Sequence, residues 1–249
     1  MNAYTDKLKI AVVGLSPGAG AGFVSAGLAA AFAGIKDCRP ALLELGGQRL
    51  YDSLGMDKHF AGREFIRFFG LISKGRSIRG LSNDLAGINW VLKAPGEGRE
   101  ALDIIKMLRM VNNVCGNVIV SKISADPGEE LREILKDMDR ILVVIDPMPS
   151  MMLAGHDALC RLRSSELPLI YAVNKMNGGV SRRELLNYLQ LKKAFYIPMV
   201  PPETLYGAEY SCRFPFDLPE VKNIIEPILE EMAREMLSFQ RERATVTYL

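Results

Sequence analysis

No two cysteines in this 249-residue chain stand close enough in sequence to form a thiol motif: Cys38, Cys115, Cys160 and Cys212 are scattered, with no C-x-x-C pair. That spacing excludes a zinc ribbon or a disulfide framework and fits a reducing compartment. Histidine is scarcer still. His59 and His156 are the only two, neither has ligand spacing around it, and both read as surface or satisfied core residues, so no metal site is expected. An excess of either charge is missing too. A net charge of +2 and a pI near 8.3 give no reason to expect a specific nucleic-acid partner. The longest apolar-looking helix, Val24 to Ala33, falls well short of the roughly 20 residues that a membrane span requires. Met1 to Lys9 is short and polar, so no signal peptide is expected. These absences together predict a cytoplasmic protein with at most peripheral membrane contact. With no repeats, low-complexity tracts or linker, residues 1–249 read as one domain.

What is present alternates regularly. Apolar runs that read as buried strands are Ile10 to Val13, Arg39 to Leu45, Gly87 to Ala94, Asn117 to Val120, Arg140 to Ile145, Pro168 to Val173 and Phe195 to Pro198. Between them lie helical patterns: Val24 to Ala33, Glu100 to Val111, Glu129 to Lys136 opened by Asp126-Pro127-Gly128, Leu153 to Leu162, and Arg182 to Gln190 capped by Ser181 with Glu184 placed for a capping box. From Pro219 a closing helix repeats apolar residues at Val221, Ile224, Ile225, Ile228, Leu229, Met232 and Met236, a stripe suited to packing on a sheet. Between Arg49 and Asp84 lies a less regular, helical-looking region, whose basic, aromatic part from Lys58 to Arg79 reads as an amphipathic helix pair with Phe and Ile inward and Arg outward, or as a surface for an acidic partner. The alternation predicts an α/β fold, a mostly parallel sheet with helices on both faces.

One stretch carries the functional question. The strand ending at Val13 runs into a glycine-rich bend, Gly14, Gly18, Gly20 and Gly22 around Pro17, and then into a helix of small residues. Strand, glycine loop and helix is the geometry that aims backbone N–H groups and a helix N-terminus at a phosphate. The pattern G-x-x-x-x-G-K-[ST] is nevertheless broken, because Ala21 fills the lysine slot and Gly22 the hydroxyl slot.

With the strands in order, nearly the whole chain, Lys9 to about Leu237, resembles the MinD/ParA branch of phosphate-loop ATPases, and within it the pilus-assembly relatives called CpaE or TadZ. Over the family's K-G-G-x-G-K-T-T this sequence places Ser16-Pro17-Gly18-Ala19-Gly20-Ala21-Gly22-Phe23. Both lysines of the motif fall on Ser16 and Ala21, and both threonines on Gly22 and Phe23. The family's D-x-D-P-Q turn is here Glu44-Leu45-Gly46-Gly47-Gln48, and its Walker B aspartate is Ser121, followed by Lys122. Asp139 to Pro147 and Ala172-Val173-Asn174-Lys175 resemble the family well, Asn174 standing where the family uses an asparagine to touch adenine. The resemblance implies a three-layer phosphate-loop fold.

Phosphoryl transfer depends on positioning and on cationic stabilisation of the developing charge. The substitutions above therefore predict no catalytic residues and no ATP hydrolysis. The vestigial nucleotide site would comprise Gly18, Gly20, Ala21, Gly22, Phe23 and Asn174. Two readings stay open there: the loop merely turns the chain, with Phe23 packed inward and no cofactor, or ATP binds weakly without magnesium-dependent hydrolysis. The resemblance implies protein partners, a homodimer independent of ATP, and a localisation or scaffold role in pilus or secretion assembly or in cell positioning. The alternative is a divergent ATPase whose missing cation comes from Lys122, Lys175 or the Lys58–Arg79 region. A further alternative is a different small ligand at the carboxyl ends of the strands.

Overall fold

The apolar runs of the sequence lie side by side in one eight-stranded sheet. The computed structural model describes residues 7–47, 49–97, 102–123 and 129–246, with the backbone alone for 129–131 and 239–246. In chain order the first elements are β1 (Leu8–Gly14), α1 (Ala21–Ala33), β2 (Pro40–Glu44), and the short helices α2 (Leu50–Ser53), α3 (Met56–His59) and α4 (Phe68–Ser73). β3 (Asp84–Leu85), β4 (Ile88–Val91), α5 (Ile104–Asn113), β5 (Val118–Ile123), α6 (Glu129–Lys136) and β6 (Arg140–Ile145) follow. The last part comprises α7 (Pro149–Arg163), β7 (Leu169–Met176), α8 (Arg182–Leu189), β8 (Phe195–Pro198), α9 (Pro202–Tyr210) and α10 (Pro219–Val246). Spatial order is β3-β4-β2-β5-β1-β6-β7-β8, parallel except for the antiparallel β3–β4 edge.

Alternation along each strand builds two cores, because successive side chains point to opposite faces. Leu8, Ile10 and Val12 of β1 join Leu42, Val120 and Leu142 beneath α1, α2, α3 and α10. Ala11 and Val13 join Leu43, Ile119 and Ile141 beneath α4 to α8. The sheet is thus covered on both faces, as its near-continuous apolar strands require. The stripe on α10 packs through Val221, Ile225, Leu229, Met232 and Met236, all buried, but Ile224, expected within it, is turned outward and Ile228 is half-buried.

Several expectations need correction. β5 continues past Val120 to Ile123, because Ser121 and Lys122 are held in register by Ala11 and Val12 on one side and by Leu43 and Glu44 on the other. β7 likewise continues through Asn174 and Lys175 to Met176, pairing again with Pro198 after a bulge, so Asn174 is in a strand and not in the turn after it. The Arg49–Asp84 region, expected to hold a helix pair over Lys58–Arg79, forms three helices of four, four and six residues, with left-handed turns at Gly55, Gly62 and Gly75. α5 begins at Ile104, capped by the Asp103 carboxylate, which accepts from Lys106 N at 2.8 Å. Its expected start at Glu100 lies outside the described residues, as do Gln48 and Asp126-Pro127-Gly128. α9 and the two-residue β3 were not foreseen: one starts at a Pro-Pro pair with a single buried side chain, the other is too short to show a period.

α1 approaches α10 through Gly27. A Cβ at that position would lie 2.5 Å from a Phe216 ring carbon and 2.6 Å from Leu229 Cδ1. The α2–α3 segment is pinned to the chain just after α9: Lys58 Nζ donates to Ser211 O at 2.9 Å, and the His59 ring stacks on Phe214 at 4.2 Å. His59 is not a satisfied core histidine, since its buried Nε2 has no hydrogen-bond partner. Desolvation holds its pKa below the usual value, with Lys58 acting the same way and Asp217 opposing.

Two outcomes follow. Gly27→Leu overpacks the helix crossing and is expected to cost roughly 1–3 kcal/mol, read as a fall of about 2–4 °C in Tm per kcal/mol for a chain of this size. Because the folded state disfavours the charged His59, the unfolded chain binds its proton first, so this residue makes stability fall as pH drops below about 6.5. Thermal melts between pH 7.5 and 5.5 should show that fall, and His59→Phe should remove the His59 part of it.

A candidate functional site at the carboxyl ends of the strands

At the end of β1 the chain turns through Leu15 to Gly20 into α1. The turn is tied down at its base, where Leu15 N donates to Val144 O of β6 at 2.8 Å, and Ala19 N closes back on Ser16 O at 3.1 Å. Ala19 is buried, and Ala19 and Ala21 both lie against Gly14, within 3.6 Å and 3.3 Å of where its Cβ would be.

β7 closes the turn from the other side. In a regular strand Asn174 and Lys175 would point to opposite faces. Here the strand bulges between Val173 and Met176, Lys175 takes a left-handed φ of 62°, and both side chains reach the same loop. Asn174 Nδ2 donates to Ala19 O at 3.0 Å. Lys175 Nζ donates to Gly18 O at 2.7 Å and to Asp146 Oδ2, just beyond β6, at 2.6 Å. The Asn174 amide approaches so closely that a Cβ at Gly20 would sit 2.1 Å from its nitrogen, and Gly20 itself has φ 91°. Only glycine meets both demands.

α2 covers the start of α1. Glu44, 1% exposed at the end of β2, accepts through Oε1 from Arg49 N at 3.0 Å and Leu50 N at 3.1 Å. Those amides open α2, and a carboxylate there suits the positive end of the helix. The helix so placed lays Leu50 over Gly22, Cδ2 lying 3.0 Å from where a Gly22 Cβ would be. Phe23, half-buried, packs at a tilt of 37° against Phe216, ring centroids 4.8 Å apart.

Gly18, Gly20, Ala21, Gly22, Phe23 and Asn174 thus lie around one loop, where the Asn174 amide is taken by Ala19 O and the Gly18 carbonyl by Lys175. Of the candidate cations, Lys175 lies at the loop but is paired with Asp146, and Lys122, Lys58 and Arg79 are bonded elsewhere. Lys122 Nζ lies 3.6 Å from Glu44 Oε1 and also donates to Gly46 O, between β2 and β5. Lys58 bonds Ser211, and Arg79 bonds Asn113. Burial raises the Glu44 pKa, while the Arg49 amide, the Lys122 charge and the Leu50 amide pull it down. Among the described residues Ser16 Oγ, Ser121 Oγ and Glu44 Oε2 are buried without partners. Lys175, Asp146 and Leu50 were the parts missed as loop-closing groups. Lys175 and Asp146 stood in matched segments with no signal of a bulge, and Leu50 carries no motif. Beside the loop a cavity of ≈ 1060 Å³ opens between α7, α8 and α9.

Breaking these bonds has predictable costs. Asn174→Ala strands the buried Ala19 carbonyl and should destabilise by roughly 1–3 kcal/mol. Lys122→Met leaves the Glu44 carboxylate buried without its counter-charge and should cost roughly 3 kcal/mol at pH 7. Because a raised carboxyl pKa favours the folded state at low pH, that loss should shrink as pH falls toward 4.5, and Lys122→Met with Glu44→Gln should recover part of it. Urea denaturation at several pH values measures all three.

No protein-family model matches the sequence, and a search of curated proteins finds no match. Solved structures do match. A ParA family ATPase from Chlorobium tepidum TLS superposes with a TM-score of 0.72 at 12% identity, over 92% of this chain and 99% of that one. MinD of Aquifex aeolicus, solved as a MinC:MinD cell division complex, gives 0.68 at 15% identity over 92% and 96%. The septum site-determining protein MinD of Pyrococcus horikoshii OT3, complexed with Mg-ADP, gives 0.64 at 12% over 90% and 96%. At these identities the likeness is one of fold, and the fold of this chain is that of the MinD and ParA ATPases.

Proposed function

We propose that this chain is a non-hydrolysing module on the MinD/ParA fold, one that binds protein partners instead of switching on a nucleotide. The observation that carries the reading is the loop held shut from β7. Asn174 and Lys175 take the carbonyls of Ala19 and Gly18, and Lys175 spends its charge on Asp146. Catalysis of phosphoryl transfer needs a cation at the transferred group and an oriented water. Here Ala21 and Gly22 offer no side-chain donor, Leu50 lies over Gly22, and Lys122 is bonded within the sheet. A magnesium triphosphate does not fit this set of donors.

ATP is accordingly bound weakly or not at all. Protein partners are supported by the solved Aquifex aeolicus complex of MinD with MinC. Pairing of two copies would be independent of ATP, since Ser16, buried at the position that resembles the family's signature lysine, has nothing to extend toward a partner's nucleotide. The likeness to CpaE and TadZ points to assembly of a pilus or secretion apparatus, or to positioning within the cell.

Isothermal titration of the full chain with ATP and magnesium is expected to give no saturable heat at millimolar nucleotide. Phosphate release should stay at the protein-free blank, and the sedimentation profile should be the same with and without ATP. Phosphate release above the blank that is lost in Lys122→Ala would instead make the chain a divergent ATPase. A dimer that forms only with ATP would overturn the proposal.

A further inference from the structure

The cavity beside the closed loop has chemistry of its own. The start of α7 supplies Met148, Met152 and Leu153 to its wall. α8 supplies Leu185 and Tyr188, and α9 supplies Leu205 and Tyr206. Among the described residues eight large apolar side chains are exposed, and five of them belong to this cavity: Met148, Leu153, Tyr188, Met199 and Tyr206. Apolar side chains scattered singly on a surface need no explanation, but a cluster around one concavity marks a binding site. A volume of ≈ 1060 Å³ stands just above the roughly 300–1,000 Å³ usual for small-molecule pockets.

The charges of the lining narrow the class of ligand. They are Asp146, Lys175 and Glu184, which sum to −1 when all are ionised. Lys175 is already matched by Asp146 at 2.6 Å, so the unmatched charge is Glu184. A phosphate or other anion entering here meets a like charge and no spare cation. A flat ring without negative charge meets tyrosine faces and methionine thioethers, which suit aromatic and cationic groups alike. Ser181 and Asn177 add polar groups at the edge of the floor. The left-handed Lys175 and the bulge that holds it lie at that floor, a place where backbone strain is commonly kept for a site.

We propose that this cavity binds a small aromatic ligand that is neutral or cationic, its ring among the methionines and tyrosines of α7, α8 and α9 and its polar end at the Lys175–Asp146 floor. The cavity shares Gly18, Gly20 and Asn174 with the loop, so occupancy by such a ligand rests on the loop staying closed to nucleotide.

The test uses the full chain and two fluorescent probes, neutral N-phenyl-1-naphthylamine and anionic 1-anilinonaphthalene-8-sulfonate. The neutral probe is expected to bind saturably at one site, and the sulfonate about tenfold more weakly, because of Glu184. Glu184→Lys should narrow or reverse that gap. Leu153→Glu and Tyr206→Glu, at exposed positions where folding is spared, should each weaken the neutral probe by about tenfold or more with little change in Tm. Equal affinity for the two probes, or wall substitutions without effect, would overturn the inference while leaving the closed loop untouched. Displacement of the neutral probe by ATP would sink the closed loop and this inference with it. If the wall substitutions break up a dimer, a second copy covers the cavity and the small-ligand site is overturned.

Discussion

The bulge in β7 is the constraint on which the rest of the site depends. A regular strand can present only every second side chain to one face. By taking Lys175 into the left-handed region, the chain turns two consecutive polar side chains onto one loop. That arrangement dictates several other residues. Gly20 must lack a side chain because the Asn174 amide occupies the space, and Asp146 must be acidic to hold the lysine in place. A backbone conformation of this kind is costly and persists where surrounding bonds over-determine it. The bonds to Ala19, Gly18 and Asp146 supply that determination.

A second tie, between Glu44 and Lys122, works on the neighbouring strands and toward the same result. A carboxylate 1% exposed is expensive to bury unless it is bonded and paired. Glu44 is both: two amides that open α2 bond it, and Lys122, its register partner on β5, supplies the counter-charge. The benefit passes along the chain, since fixing α2 fixes Leu50 over the start of α1. Both lysines near the strand ends are thus held by acids of the same molecule, Lys122 by Glu44 and Lys175 by Asp146. The carboxyl end of the sheet is electrically closed by its own residues.

Much of the fold was legible because its strands are buried on both faces and therefore read as plain apolar runs. The Arg140–Ile145 and Phe195–Pro198 strands appear with the bounds that the sequence suggests. The ends of β5 and β7 were not legible, because Ser121, Lys122, Asn174 and Lys175 are polar and are kept in strand by neighbours far away in sequence. The same limit applies to the site. That Gly18, Gly20, Ala21, Gly22 and Phe23 form one bend could be read from their spacing, and the place of Asn174 beside them from the family resemblance. That Asn174 and Lys175 both bond the loop could not, because it depends on one residue's φ and on pairing with β8. Similarly, the apolar residues of α7 and α8 read as ordinary core faces until α9, with no periodic signal, is placed opposite them.

A switch requires a ligand that binds one of two states better than the other. The ammonium nearest the loop, that of Lys175, is already bonded to Asp146 and to Gly18 O, so an entering phosphate would have to win that cation from a carboxylate of the same chain. The differential affinity that could drive a conformational change is correspondingly small. The remaining source of binding free energy at this end of the sheet is apolar area, which is greatest at the methionines and tyrosines left exposed between α7, α8 and α9. Recognition built on apolar area responds to whether a complementary surface is present and only slightly to ionic strength. The closed loop and the open cavity are therefore two sides of one design: the lysines at the strand ends are settled within the chain, Glu184 is left to repel anions, and what is left to bind with is shape.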